Sequence, residues 1–235
     1  MEQSRDISLE EIIDCQDKAM HRAIQEHQKE WEFVKDCIEL VINRRIIEEH
    51  IVENDKIKLE VVHTFLNDAL STLINSFKIA LYGCYSDSMT LLRPALEELT
   101  IMNYIVLKGL FVTADHELDR RLVKLKYETI VKSVKDGQAI EELHGRISGL
   151  AAHGTASRIR NNRFELYGTN LPTVGVGLDS EKTKKCLHEI MRASLYMIRI
   201  LTDFYGTKKD GTKKDIISED YFSKSRELEK RFECL

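Results

Sequence analysis

A chain of 235 residues with a formal charge of −4 is large enough for a real core and too acidic to coat nucleic acid non-specifically, while a local basic patch stays allowed. The two prolines, Pro94 and Pro172, leave long stretches without a helix breaker, so the composition favours an all-α protein. The five cysteines (Cys15, Cys37, Cys84, Cys186 and Cys234) are scattered, odd in number and form no C-x-x-C pair; they read as reduced thiols, not as a disulfide frame or a zinc site. The amino terminus, Met1 to Asp6, is too polar for a signal peptide. The most apolar run, Ile101 to Val112, carries Asn103 and Lys108 and is too short to span a bilayer. The expectation is a soluble, cytoplasmic chain with no membrane segment.

Ser8 or Asp6 can cap a first helix from near Leu9, with Glu10 and Glu11 suiting its dipole. That helix is predicted to run through Trp31, Val34, Ile38 and Val41 as far as Ile47. From Asn54 to Tyr82, Val62, Leu66, Ala69, Leu73, Phe77 and Ala80 recur at three- and four-residue spacing, an amphipathic helix. Gly83 breaks the chain, and the next helix covers Tyr85 to Leu110, where Pro94 is expected to kink it or to open a new one. Ala114 to Val134 reads as a further helix carrying Leu118, Leu122, Leu125 and Ile130. Asp136-Gly137 then turns the chain into a central helix.

The central helix carries Ile140, Leu143, Ile147 and Leu150 as one stripe and Gly145, Gly149 and Ala152 as a small-residue stripe on the other side. Both faces are predicted to pack against neighbours, in this chain or a second copy, before Gly154 stops the helix. Ala156 to Gly177 lacks a helical period and reads as an ordered loop or short hairpin. Asp179 or Ser180 caps a last core helix to about Tyr205, with Leu187, Ile190, Met191, Leu195, Ile198 and Leu201 facing inward. The reading is an all-α antiparallel bundle of about five core helices, residues 1–206 forming one domain. Residues 207–235 follow as a lysine-rich linker and a weakly patterned terminal helix.

Arg146 and His153 are seven residues apart, so both fall on one seam of the central helix. An arginine and a histidine so spaced on a helix resemble the HEPN (higher eukaryotes and prokaryotes nucleotide-binding) superfamily. The surrounding text resembles bacterial helical proteins with a Leu-Leu-Arg…Leu-Glu helix and a downstream Leu-Ser…His-Gly element. Here it reads Gly83-Cys84-Tyr85-Ser86-Asp87-Ser88-Met89, then Leu91-Leu92-Arg93-Pro94-Ala95-Leu96-Glu97, and later Ile147-Ser148-Gly149-Leu150-Ala151-Ala152-His153-Gly154. This resemblance, over residues 60 to 205, implies a helical homodimer and, as in many members, a metal-independent endoribonuclease of toxin or phage-defence type. His153 would take the ribose 2′-hydroxyl proton and Arg146 would hold the phosphate as charge builds. The family's nucleases usually carry a polar residue after the arginine; this chain has Ile147.

Arg93 and Glu97 lie one turn apart, as a structural ion pair or as support for that site. Arg158, Arg160 and Arg163, interleaved with Asn161 and Asn162, can grip phosphates or form a solvated loop; Phe164 and Tyr167 can stack bases or pin the loop. The competing function is a non-catalytic helical binding or assembly module, in which His153 only favours a helix end and Arg146 is ion-paired. Two E-x-x-H pairs, Glu60/His63 and Glu141/His144, match the pattern of ferritin-like di-iron bundles, but Glu60 lies roughly 150° around the helix from the apolar stripe and should face solvent. No metal and no cofactor are expected; the expected partners are a second copy, RNA or a protein.

Overall fold

The computed structural model describes residues 8–44, 53–108, 111–112, 117–118, 126–151, 179–206 and 217–235. Among these residues the chain forms eight helices and one two-residue strand pair, packed as an all-α helical bundle. In chain order they are α1 (Leu9–Glu26), α2 (Gln28–Ile42), α3 (Glu53–Leu81), α4 (Tyr85–Lys108), β1 (Phe111–Val112), β2 (Glu117–Leu118), α5 (Tyr127–Val131), α6 (Gly137–Ala151), α7 (Ser180–Gly206) and α8 (Glu219–Glu233). No helix among them is long and apolar enough to cross a membrane.

Ser8 caps α1 by accepting from the Glu11 amide at 3.2 Å while its own amide donates to the Glu11 carboxylate at 3.0 Å. The predicted single helix to Ile47 is instead broken at His27, whose φ of −124° and ψ of 40° leave the helical region, and α2 stops at Ile42. The break has a tertiary cause. His27 is buried, and its Nε2 lies 3.1 Å from the Ser180 hydroxyl at the start of α7. The bend turns α2 so that Phe33, Val34, Cys37 and Val41 enter the core, while Leu9 and Ile13 of α1 stay exposed.

Among the described residues the α3–α4 hairpin is the most extensive pairing. The stripe predicted on α3, from Val62 to Ala80, is buried throughout. Gly83 closes the turn with φ 81°, a left-handed conformation that favours glycine. Across the hairpin the Ser76 hydroxyl donates to the Ser88 carbonyl at 2.8 Å and the Ser88 hydroxyl returns the bond to Ser76 at 2.8 Å. The helix α4 runs unbroken through Pro94, which sits on its exposed side.

The helix expected over Ala114 to Val134 does not form as one element. Phe111 pairs with Leu118 and Val112 with Glu117 in an antiparallel register, and among the described residues the next helix is at Tyr127–Val131. Aromatic and β-branched residues favour extended backbone once a partner strand is available, and here that outweighs the leucine spacing. The loop or hairpin expected over 156–177 lies outside the described residues.

Asp136 takes φ 63° ahead of α6, and a Cβ on Gly137 would stand 2.2 Å from the Val131 carbonyl oxygen, so the Asp-Gly turn is required by both conformation and space. Of the stripe predicted on α6, Ile140, Leu143 and Ile147 are buried while Leu150 is half-buried and Ala151 takes the inward place, its carbonyl held by the Ser86 hydroxyl of α4 at 2.7 Å. Among the described residues nothing covers the small-residue face. Gly145 and Gly149 are exposed, and a Cβ on either meets nothing within 4 Å.

The helix packed on all sides is α7, not α6. Ala193, Ser194, Leu195, Tyr196, Met197 and Ile198 are buried in succession, as they are only when neighbours surround a helix. Asp179 caps it, its carboxylate accepting from the Lys182 amide at 3.0 Å. The terminal helix α8 packs on α2 and α7 through Tyr221, Phe222 and Leu228, with Phe232 against Phe33 at 5.8 Å between ring centroids. All five cysteines are free thiols.

Candidate functional site

The geometry around Arg146 is set by a carboxylate buried where the helix pattern asks for an apolar residue. Glu189 stands between Leu187 and Ile190 on α7 and is only 6 % exposed. A buried carboxylate needs both charge compensation and hydrogen bonds. Arg146 supplies them from α6, its Nε donating to both Glu189 oxygens at 3.2 Å, and Arg192 adds a 2.7 Å bond one turn along α7. The two guanidinium groups keep 42 % and 36 % of their side-chain surface in solvent.

A cleft of about 240 Å³ opens over this pair, between α6, α7 and α8. Arg146, Arg192 and Arg199 line it together with Tyr196 and Phe232. Arg199 is held by Glu229 of α8 at 2.8 Å, and the Arg192 guanidinium lies 6.0 Å from the Phe232 ring centroid. The acids on the lining are Asp136 and Glu142. Three arginines oriented by carboxylates and an aromatic face form a site for an oxyanion attached to a flat group. The lining contains no histidine and no cysteine among the described residues. Burial pushes the Tyr196 phenol up to about 12, against hydrogen bonding with Asn103, whose amide donates to it at 3.3 Å, and with Thr100, so it stays neutral.

A second polar constellation joins α4, α5 and α6. Arg93 donates from Nε to Glu97 at 2.9 Å, the pairing expected from their spacing, and His144 Nε2 reaches the same Glu97 oxygen at 2.9 Å. Burial works to raise the Glu97 carboxyl, but the bonds from His144 and Arg93 outweigh it and hold the group below its ordinary value. Glu97 is therefore an acceptor at neutral pH, which puts a proton on His144 Nε2. The Tyr127 ring stacks on His144 at 5.1 Å between centroids and its hydroxyl donates to Thr100 at 3.3 Å. These groups do not line the α6–α7–α8 cleft, and they tie three helices together.

Of the residues singled out from the sequence, Arg146 enters the α6–α7–α8 cleft, whereas Arg93 and Glu97 belong to the separate α4–α6 network. His153, Arg158, Arg160 and Arg163 lie outside the described residues. Glu60 and Glu141 both face solvent, and no group of three His, Cys, Asp or Glu among the described residues is placed to hold a metal ion. The sequence reading missed Glu189, Arg192 and Arg199, and placed His144 only in an E-x-x-H pair with Glu141. A charged residue inside the apolar period of α7, with an arginine three positions later, was the available signal for the first two.

The fold and this site define an all-α bundle with an arginine-lined cleft. Comparison with protein-family models, with curated proteins and with solved structures returns no match.

Proposed function

We propose that this chain is a HEPN-like helical module, cytoplasmic and assembled as a homodimer, that binds RNA through phosphate contacts in the α6–α7–α8 cleft. The observation that carries the reading is the buried Glu189 carboxylate, which fixes Arg146 and Arg192 side by side at the mouth of the cleft. Pre-oriented guanidinium forks match phosphate oxygens, and Tyr196 and Phe232 offer faces for a base. Binding rather than cleavage is favoured because Arg146 is ion-paired and Ile147 stands where the family's nucleases usually carry a polar residue.

Fluorescence anisotropy with labelled single-stranded RNA tests this. Affinity should fall with salt, and Arg199→Ala should weaken binding and flatten the salt slope without unfolding the chain. Equal affinity in wild type and in an Arg192→Ala/Arg199→Ala variant would sink the reading.

A second reading, a metal-independent endoribonuclease, is favoured by the pinning of Arg146, the arginine that the family resemblance assigns to the phosphate. It requires cleavage that survives EDTA, leaves 2′,3′-cyclic phosphate ends and disappears in His153→Ala, with a loss of about 10² to 10⁴ in rate. RNA bound but left intact by the folded dimer decides for the module.

A further inference from the structure

A separate cleft of about 620 Å³ lies between α2 and α8, within the usual range for small-molecule sites. Its floor is built from the end of α2. Beyond Ile42 the chain turns so that Arg44 donates from a terminal guanidinium nitrogen to the Val41 carbonyl at 2.6 Å, a cation on a helix carboxyl terminus. Among the described residues Arg44 has no carboxylate partner, and its Nε is buried with no hydrogen bond. Tyr221 of α8 is 1 % exposed, and its hydroxyl is equally without a partner. Thr202 is nearby but already engaged, donating to Ile198 at 2.8 Å with the Ser225 hydroxyl at 3.2 Å. Burial pushes the Tyr221 phenol up, so it is a donor at neutral pH. Buried donors without acceptors are rare and costly in folded proteins.

The rim has the opposite character. Arg231 is taken by Asp36 at 2.6 Å, Lys224 by Asp220 at 2.8 Å and Glu39 pairs with Lys35 at 3.7 Å, which leaves the exposed carboxylate of Glu227 as excess negative charge on the lining. A multiply charged anion is disfavoured at such an entrance. We propose that the α2–α8 cleft binds a small zwitterion, a carboxylate that also carries an ammonium group, as in a free amino acid. The carboxylate sits against Arg44 and Tyr221, and the ammonium group faces Glu227. The site is distinct from the arginine-lined cleft on the other side of α8, to which α8 contributes Phe232.

Thermal-shift and calorimetric titrations of the full chain with the common free L-amino acids, with succinate and with inorganic phosphate test the proposal. At least one amino acid at about 10 mM should raise the unfolding temperature, as expected for a ligand that binds only the folded state, and should do so more than succinate or phosphate. Arg44→Gln should weaken that amino acid by about 10- to 100-fold, the effect of losing hydrogen bonds to a charged group. Tyr221→Phe should weaken it by about 2- to 10-fold while unfolding no earlier than wild type, because the deleted hydroxyl has no partner to lose. If Arg44→Gln fails to fold, Tyr221→Phe and the exposed Glu227→Gln carry the test; the latter should weaken amino acids and spare succinate. The proposal is overturned if no amino acid shifts unfolding, if succinate or phosphate binds more tightly than every amino acid, or if the variants bind like wild type.

Discussion

Removing the charge of Glu189 leaves two guanidinium groups beside each other over a site that the core closes from below, so Glu189→Gln is expected to cost about 1–3 kcal/mol in chemical denaturation. Arg199→Ala breaks only an exposed pair with Glu229 and should cost less than about 1 kcal/mol while lowering affinity for RNA. Equal costs for the two would mean that Glu189 is not the group that fixes the cleft. Acid should destabilise the protein in two windows. Burial, followed by the nearby Arg44 charge, holds His63 below its ordinary value of 6.5. The unfolded chain therefore takes up a proton first, and stability falls as pH drops through 6.5 toward the folded value. His188, depressed chiefly by burial, acts in the same window. Glu97 is likewise depressed, so its contribution is full above the ordinary carboxyl value of 4.5 and is lost as pH falls through the lower folded value. Melting temperatures against pH should show both limbs, with His63→Asn flattening the upper and Glu97→Gln the lower.

The glycines of α6 and its entry separate by what surrounds them. Gly137→Ala places a Cβ against the Val131 carbonyl oxygen and must move backbone, so a loss of more than about 1 kcal/mol is expected. Gly149→Ala adds its methyl where no described residue lies within 4 Å and, measured at dilutions where the chain is monomeric, should stabilise it by about 0.5–1 kcal/mol. Thermal unfolding of the two variants should move in opposite directions. The residue types are identical, and only the neighbours distinguish them. The same limit explains the misread elements. His27 carries no helix-breaking signature in the sequence, and its contact with Ser180 comes from a helix more than 150 residues later. The leucines after Val112 keep a helical spacing, but the pairing of Phe111 with Leu118 depends on two segments meeting.

The exposed Gly145 and Gly149 expose backbone on a helix whose opposite face is core, and a second copy docked there would bring two α6 helices into close approach. Light scattering at tens of micromolar should give the mass of two chains, and Gly149→Leu should shift it to one by filling that approach. A monomeric wild type would remove the composite site that the ribonuclease reading needs. The two clefts flank α8, which Arg231 ties to Asp36 of α2 and Arg199 ties to Glu229.

Composition and periodicity were enough for the helical class, for the buried stripes of α3, α6 and α7, for the caps at Ser8 and Asp179, and for the Arg93–Glu97 pair. Each of these depends on residues within a few positions of one another, which the geometry of a helix brings together without further help. Which helix lies at the centre, what Arg146 binds, and that Glu97 meets His144 required the packed chain, because Arg146 and Glu189 stand 43 positions apart and Glu97 and His144 47. Local periodicity says which face of α6 is apolar; only the arrangement of the other helices decides that no described residue covers the glycine face and that a lone glutamate in the stripe of α7 sets the orientation of the arginines above it.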